Sequence, residues 1–271
     1  MGGLSFLFVL PLLSVCGVLL LSSSFPPPLL FLLLYALANA VIGIIDDGTK
    51  LKNKRNLGLL PWQKLFLQVF FAGAFLYLLF LRPELLPTLA LPFTDVAISY
   101  SLPVIFLFLL FLVGGVNCAN LTDGLDGLAA SVSLTHGIFF LSEGIFWEIP
   151  ALSVLGMTLS GSMLGFLIFN KNPAKIFMGD TGSLFLGALS VGGAFLLPNP
   201  AAALLYCFVF LLEGASVILQ VLFFKLTKRR LFRMAPLHHH FEKCGWGERR
   251  IVLAFTLLSV IGCLFAHFSL L

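Results

Sequence analysis

The chain has 271 residues, of which 59% are hydrophobic and only 10% are charged, whereas soluble domains have about 25% charged residues. Sixteen Lys and Arg and twelve Asp and Glu are too few to cover a water-soluble globule of this size, so most of the surface must face lipid. The net charge of +4 is too small to indicate a nucleic-acid partner. The five cysteines show no ligand spacing, which argues against a zinc site and a disulfide framework.

Apolar runs without charge recur along the chain, at the length of about 20 residues that crosses a bilayer. The uncharged stretch 181–212 is too long for one crossing, and Pro198-Asn199-Pro200 is a turn signal that divides it. We therefore predict an all-α polytopic membrane protein that forms a single domain over residues 1–271. Its nine predicted spans lie near residues 4–21, 29–45, 65–81, 101–117, 127–142, 149–169, 182–197, 201–224 and 251–271.

The cations provide an independent check on these spans. Nine alternating crossings place the connections 46–64, 118–126, 170–181 and 225–250 on one side, and fifteen of the sixteen Lys and Arg fall there. Because cytoplasmic loops carry an excess of Lys and Arg, this side is predicted to be cytoplasmic.

His136 and His267, toward the other side, are predicted to be packed or interfacial. The other side also has Arg82, Glu84, Asp95, Glu143 and Glu148, which are typical of solvated connections.

Residues suited to phosphate, metal or acid–base chemistry collect on the predicted cytoplasmic side. Asp46 and Asp47 end the second span. Carboxylates near hydrocarbon are costly, and adjacent ones raise each other's pKa unless a cation intervenes. We therefore expect a divalent metal or a basic neighbour here, and the alternative is a solvated helix boundary. A basic run follows, formed by Lys50, Lys52, Lys54 and Arg55.

Two glycine-rich turns add further aspartates. In the first, Asp123 and Asp126 are three residues apart and share a face of a helical turn, while the interleaved glycines allow a ligand to approach the backbone. The alternative is an ordinary Gly/Asp turn. In the second, Gly179-Asp180-Thr181-Gly182 opens span seven, where the amides of a helix N-terminus favour phosphate. The alternative there is that Asp180 is the N-cap.

Three consecutive histidines form the fourth motif, and one carboxylate lies within a span. His238, His239 and His240 cannot share a helix face, but on a loop they can present several imidazoles to an anion. The alternative is a solvated basic loop, and a zinc site is less favoured because contiguous ligands rarely reach one metal. Glu213, in the eighth predicted span, is either functional or a buried polar contact at a helix kink.

These motifs together favour phosphoryl transfer at a membrane surface. Carboxylates and oxygen-rich turns suit Mg²⁺, which bridges substrate phosphates, and positioning with charge neutralisation carries most of the catalysis of phosphoryl transfer. A site at the lipid boundary indicates one water-soluble and one lipid-borne substrate. A transporter is the alternative from another class, but transporter sites lie near the bilayer midplane, whereas these carboxylates lie at span ends.

At these residues the whole chain resembles the polytopic phosphoglycosyl transferases. The segments IIDD, NLTDGLDGLA and FMGDTGSL are shared across that family, and RMAPLHHHFE resembles the muramoyl-pentapeptide branch. The resemblance implies Mg²⁺-dependent transfer of phospho-MurNAc-pentapeptide from UDP-MurNAc-pentapeptide to undecaprenyl phosphate. The products are UMP and lipid I, in the first membrane step of peptidoglycan synthesis. The alternative is the sister branch, which transfers N-acetylglucosamine-1-phosphate from UDP-GlcNAc.

The resemblance also implies roles for the motifs. Asp180 is expected to be the principal metal ligand, with Asp46 and Asp47 as catalytic residues beside the diphosphate, where Asp46 deprotonates or orients the lipid phosphate. Either this phosphate attacks the β-phosphorus directly, or an aspartate forms a covalent intermediate. The expected substrate-binding residues are Lys50, Lys64, Asn120, Asp123, Asp126, Phe177, Gly179, His238, His239 and His240.

Partners, location and a departure from the family complete the expectations. The resemblance implies a multi-pass protein of the bacterial inner (plasma) membrane with a cytoplasmic active site, contacts with membrane lipid, a homodimer and no nucleic-acid partner. Similar enzymes have ten spans. We therefore expect that Met1-Gly2-Gly3 is the end of the loop that follows the family's first span, and that this span is missing here, together with a lysine and a threonine just upstream of Met1.

Overall fold

The computed structural model describes residues 2–21, 26–53, 58–94 and 96–271, and it is a helical bundle. Within these residues the sole pairing of extended backbone is an isolated bridge between Ala90 and Ala97. Met1, Lys54, Arg55 and Asp95, which figure in the predictions above, lie outside the described residues. The helices are α1 (Leu4–Leu21), α2 (Pro27–Asn53), α3 (Pro61–Phe80), α4 (Leu102–Thr122), α5 (Leu128–Phe146), α6 (Pro150–Asn170), α7 (Gly179–Gly192), α8 (Ala203–Tyr206), α9 (Phe208–Thr227), α10 (Leu237–Lys243) and α11 (Glu248–Phe268).

Seven of these helices, α2 to α6, α9 and α11, are long and apolar enough to cross a membrane. The prediction of an all-α polytopic membrane protein is therefore confirmed. The first and seventh predicted spans correspond to shorter helices, α1 and α7, the latter with 14 residues and a 3-10 turn, Gly193–Leu196, after it. The eighth predicted span is interrupted. Pro200 starts a separate 3-10 turn, which the Asn199 side chain caps, and α9 begins only at Phe208.

The helix α7 lies in the centre of the bundle, packed chiefly against α2 and α4. Every residue of α7 from Thr181 onward is buried. Its small side chains allow close approach, as is typical of helices that pack within membranes. At Gly43 of α2 an added Cβ would lie only 2.5 Å from the carbonyl oxygen of Asp180. Because protein surrounds α7, this helix does not need the full length of a lipid-facing span.

The helix α2 extends beyond the predicted span and includes residues that were predicted to lie in a connection. Asp46, Asp47, Lys50 and Lys52 all lie within this helix. Lys50 Nζ is 2.6 Å from Asp46 Oδ2, four residues earlier in the helix, and such pairs support a helix. The predicted connection 46–64 therefore begins as a continuation of the helix, which ends at Asn53.

At the opposite end of the bundle, one residue predicted to be solvated is buried. Glu143 is 1% exposed, and its carboxylate lies 2.8 Å from His267 Nδ1 and accepts a hydrogen bond from Trp147 Nε1. The prediction failed because the hydrogen-bonding partner is 124 residues away in sequence. His136 is packed as predicted, with its ring nitrogens against Ser190 Oγ and the carbonyl of Tyr206.

Gly43→Ala is expected to force α2 and α7 apart, because the added Cβ would meet the backbone of Asp180 at 2.5 Å. Overpacking of a tight contact typically costs about 1–3 kcal/mol, so we expect a lower Tm of the detergent-purified protein. Gly73→Ala in α3 is the matched control, since nothing lies within 4 Å of its Cβ position. Equal Tm values for the two variants would contradict the packing described here.

Candidate active site

Three carboxylates meet at one end of the bundle. Asp46 and Asp47, near the end of α2, and Asp180, in the first turn of α7, bring ligand oxygens within 4.8 Å of one another. Asp46 is only 3% exposed. Such a set of hard oxygen donors is the type that Mg²⁺ prefers in proteins.

Two lysines partly neutralise this cluster. Lys50 Nζ lies 2.6 Å from Asp46 Oδ2 and 3.0 Å from Asp180 Oδ2, so it bridges the two carboxylates. Lys64 Nζ, from the first turn of α3, lies 3.1 Å from the same oxygen of Asp180. The basic neighbour expected from the sequence is therefore present. Two ammonium groups against three carboxylates leave the cluster able to attract a further cation.

Asp47 anchors the start of α7. Its Oδ1 accepts a hydrogen bond from the amide of Asp180 at 3.3 Å, and its Oδ2 accepts bonds from the amide and hydroxyl of Thr181 at 3.1 and 2.8 Å. Asp47 thus caps α7 from another helix. The alternative that Asp180 is the N-cap is therefore wrong. The amides at the start of α7, which were predicted to favour a phosphate, instead donate to the carboxylate of Asp47.

Glycines bring the backbone close to both aspartates of α2. Gly179 has a positive φ of 72°, and a Cβ there would lie 2.8 Å from Asp47 Oδ2. A Cβ at Gly58 would lie 2.5 Å from Asp46 Oδ1, and the next amide, that of Leu59, donates to this oxygen at 2.7 Å. Sequence reasoning did not single out Gly58 or Leu59, since they occupy a connection without a motif.

Asn120 fixes the orientation of Asp180. Its Nδ2 donates to Asp180 Oδ1 at 2.9 Å and to Ser183 Oγ at 2.7 Å. Asn120 was predicted to lie in the nucleotide-sugar pocket, and in the structure it contacts the carboxylate cluster through Asp180. Ser183 was missed, although its position three residues after Asp180 places the two side chains on one face of α7.

A polar cleft of about 300 Å³ adjoins the carboxylate cluster. Six of the predicted site residues line it, from the end of α4, the start of α7 and the connections next to them, and Phe177 among them is 67% exposed. Asn170, Leu125 and Met178 also line it and were not predicted. The predicted residues that line it are Asn120, Asp123, Asp126, Phe177, Gly179 and Asp180.

The two aspartates of the first glycine-rich turn have different surroundings. Burial raises the pKa of Asp123 to about 8, with a further contribution from the charges of Asp180 and Asp47. Asp126 Oδ2 instead accepts a hydrogen bond from the amide of Ala174 at 2.8 Å, and its own amide donates to Glu248 Oε1 at 2.7 Å. Asp126 therefore joins three segments, and Glu248 was missed by sequence reasoning.

The three histidines lie on the short helix α10, so the predicted loop is wrong. His238 is buried, and its ring packs against Gly124, where a Cβ would collide with Nε2. His239 Nδ1 pairs with Glu242 at the surface. His240 Nδ1 accepts the amide of Arg233 at 3.1 Å. The histidines therefore point in three directions, and His238 alone contacts a glycine that lines the cleft.

The sequence left open whether Glu213 is a functional acid or a buried polar contact, and its surroundings are those of a buried polar contact. It is 0% exposed, and it accepts hydrogen bonds from the amides of Leu237 at 2.7 Å and His238 at 3.2 Å. His238 Nδ1 also lies 3.2 Å from Glu213 Oε1. Glu213 thus caps α10 and fixes the ring of His238 against the turn that contains Asp123.

Comparison with known proteins identifies relatives across the chain. The family model described as glycosyl transferase family 4 matches residues 29–197. The phospho-N-acetylmuramoyl-pentapeptide-transferase of Clostridium acetobutylicum is 38% identical over 273 residues, covering 100% of this chain and 84% of that protein. The proteins of the same name from Staphylococcus haemolyticus and Listeria welshimeri are 38% and 44% identical; the alignments cover 96% and 86% of this chain and 81% and 72% of those proteins.

Asp123→Asn is expected to flatten the pH dependence of stability in the metal-free protein. Burial raises the pKa of Asp123 from 3.8 to about 8, so between these values the folded state binds more protons than the unfolded state. The free energy of unfolding therefore falls as the pH rises through this window. With excess chelator, we expect the Tm of the parent protein to fall between about pH 6 and about pH 8, which lies within that window. The Tm of the variant should fall less steeply. Identical slopes would refute the assignment.

Glu213→Gln is expected to loosen α10, because an amide cannot accept hydrogen bonds at both of the positions that the carboxylate serves. An unsatisfied buried amide costs about 1–3 kcal/mol, so hydrogen exchange should accelerate in residues 237–243. Glu242→Gln is the control, since Glu242 pairs with His239 at the surface of the same helix. If both variants exchange like the parent protein, Glu213 does not hold the helix.

Proposed function

Since the chain belongs to glycosyl transferase family 4, we propose that it transfers phospho-MurNAc-pentapeptide from its UDP carrier to undecaprenyl phosphate, releasing UMP and forming lipid I. The observation that carries the proposal is the cluster of Asp46, Asp47 and Asp180 beside a polar cleft, at one end of an apolar bundle. A nucleotide-linked donor reaches such a site from water, while a lipid-borne acceptor reaches it from the bilayer.

The chain is a multi-pass membrane protein, and we place it in the bacterial inner membrane with the carboxylate cluster facing the cytoplasm. The charge distribution supports this orientation. Fifteen of the sixteen Lys and Arg fall in sequence segments that alternation assigns to the same side as the cluster, and cytoplasmic segments carry this excess.

The donor set fits Mg²⁺, and Asp180 would be its principal ligand, with Asp46 and Asp47 beside it. When bound, the ion neutralises charge on the transferring phosphates. Asn120 holds one oxygen of Asp180, and Lys50 and Lys64 contact the other.

The side chains around the cluster bind the nucleotide donor. Lys50 and Lys64 bind the diphosphate, because ammonium groups neutralise phosphate oxygens. The Nζ atoms of both lysines lie beside Asp180 Oδ2, so they can act on the same group. Asp123 and Asp126 line the nucleotide-sugar pocket, and the exposed ring of Phe177 offers a face for stacking. The remaining proposed contacts are those of Gly179 with the nucleotide and of His238, His239 and His240 with the anionic sugar side.

The transfer is a direct displacement. An oxygen of the lipid phosphate attacks the β-phosphorus of the donor, a new phosphorus–oxygen bond forms, and the bond to the bridging oxygen breaks, so that its electron pair leaves with UMP. Asp46, held by the amide of Leu59, orients the attacking phosphate and accepts a proton from its monoanionic form. Lys50 and Lys64 neutralise the negative charge of the diphosphate as the displacement proceeds.

Asp180→Asn should abolish UMP release from UDP-MurNAc-pentapeptide in a purified preparation that contains Mg²⁺ and undecaprenyl phosphate. The loss of a ligand charge removes stabilisation of the phosphates, and we expect activity to fall by about a hundredfold or more. Glu84→Gln is the control, because this exposed acid pairs with Arg82 away from the cluster. Release of UMP and formation of a lipid-linked product are measured together.

Other outcomes would redirect the proposal. Equal turnover of UDP-GlcNAc would assign the chain to the sister branch. A stoichiometric burst of UMP without lipid acceptor would favour the covalent aspartyl intermediate over direct displacement. Uptake of a solute without UMP release would support a transporter instead.

A further inference from the structure

A second groove, of about 520 Å³, lies between α5, α6 and α11 on the other side of Asp126 from the polar cleft. Its walls are largely apolar and include Leu167 of α6 and Val252 and Leu253 of α11. Leu253 is 60% exposed, although it lies one turn from the polar end of its helix. An exposed apolar wall in this position borders the hydrocarbon of a membrane.

Two cations stand at the polar end of this groove. Lys171 occupies the C-cap position of α6, and Arg249 lies in the first turn of α11. Both are exposed. Arg249 donates a hydrogen bond to the carbonyl of Asn172 at 3.1 Å, which ties it to the segment that follows α6. Among the described residues, neither cation forms an ion pair within 4.0 Å.

The acids near these cations are already engaged with backbone or amide donors. Asp126 is the acid among the lining residues, and its Oδ2 accepts the amide of Ala174. Glu248, next to Arg249, accepts bonds from the amide of Asp126 and the side chain of Asn172. These bonds orient both carboxylates away from ion pairs with the two cations, whose exposed side chains are accessible to a ligand outside the bundle.

We propose that this groove binds an anionic phospholipid, with its phosphate between Lys171 and Arg249 and an acyl chain along Leu167, Val252 and Leu253. Basic groups above apolar walls match the two parts of such a lipid. A nucleotide or peptide would leave the apolar walls without a partner.

The test compares phosphatidylglycerol with phosphatidylcholine of the same acyl chains, bound to the purified full chain and measured by native mass spectrometry. We expect preferential retention of phosphatidylglycerol. The double variant Lys171→Ser/Arg249→Ser should lose this preference by about fivefold for each cation, equivalent to about 1 kcal/mol each. Lys225→Ser/Lys228→Ser, at the end of α9, removes the same charge without touching the groove and should keep the preference.

Two further variants separate lipid binding from a folding defect. Leu253→Trp fills the groove and should reduce retention of both lipids, while Arg249→Lys keeps the charge and should retain most of the preference. Equal retention of the two lipids by the parent chain would overturn the proposal. So would a preference that survives in Lys171→Ser/Arg249→Ser, or one that falls as much in Lys225→Ser/Lys228→Ser, because the selectivity would then come from overall charge.

Discussion

The hydrogen bonds that Asp47 accepts from the first turn of α7 are the contact on which the site depends. The first amides of any helix lack partners within that helix, and inside a membrane bundle little water is present to satisfy them. Asp47 satisfies two of them and the hydroxyl of Thr181. The close contact at Gly43 allows α2 to lie near enough for these bonds. Asp180 is thereby held beside Asp46, and the carboxylate cluster follows from the packing of α2 on α7.

The same arrangement recurs at two other places at this end of the bundle. Glu213 of α9 caps α10, and Glu248 of α11 accepts the amide of Asp126 just before α5. In each case a carboxylate of one helix satisfies backbone donors of a segment distant in sequence. The acids near the cleft therefore differ in their contacts. Asp47, Glu213 and Glu248 hold segments together, whereas Asp46 and Asp180 pair with lysines and Asp123 lines the cleft.

This division explains which features the sequence predicts. Span positions depend on apolar length, a local property, so the all-α polytopic fold and the convergence of the aspartate motifs were predictable. Capping between helices is not local: Asp47 and Thr181 are 134 residues apart, and Glu213 and His238 are 25 apart. The histidine loop and the solvated Glu143 were wrong for this reason. The single-domain organisation and the homodimer stay predictions.

Lys50 and Lys64 offset the negative charge of the carboxylates and are also the residues proposed to bind the diphosphate. Lys50 and Lys64 both contact Asp180 Oδ2, the oxygen that Asn120 leaves free. A divalent cation that bound Asp180 would compete with these ammonium groups, because all of them are attracted to the same carboxylate. The lysines so displaced would lie within reach of the diphosphate, where their charge offsets that of the donor. Binding of the ion and binding of the nucleotide are therefore expected to reinforce each other. The ion would replace the lysines beside Asp180, and the diphosphate would replace Asp180 as the partner of the lysines.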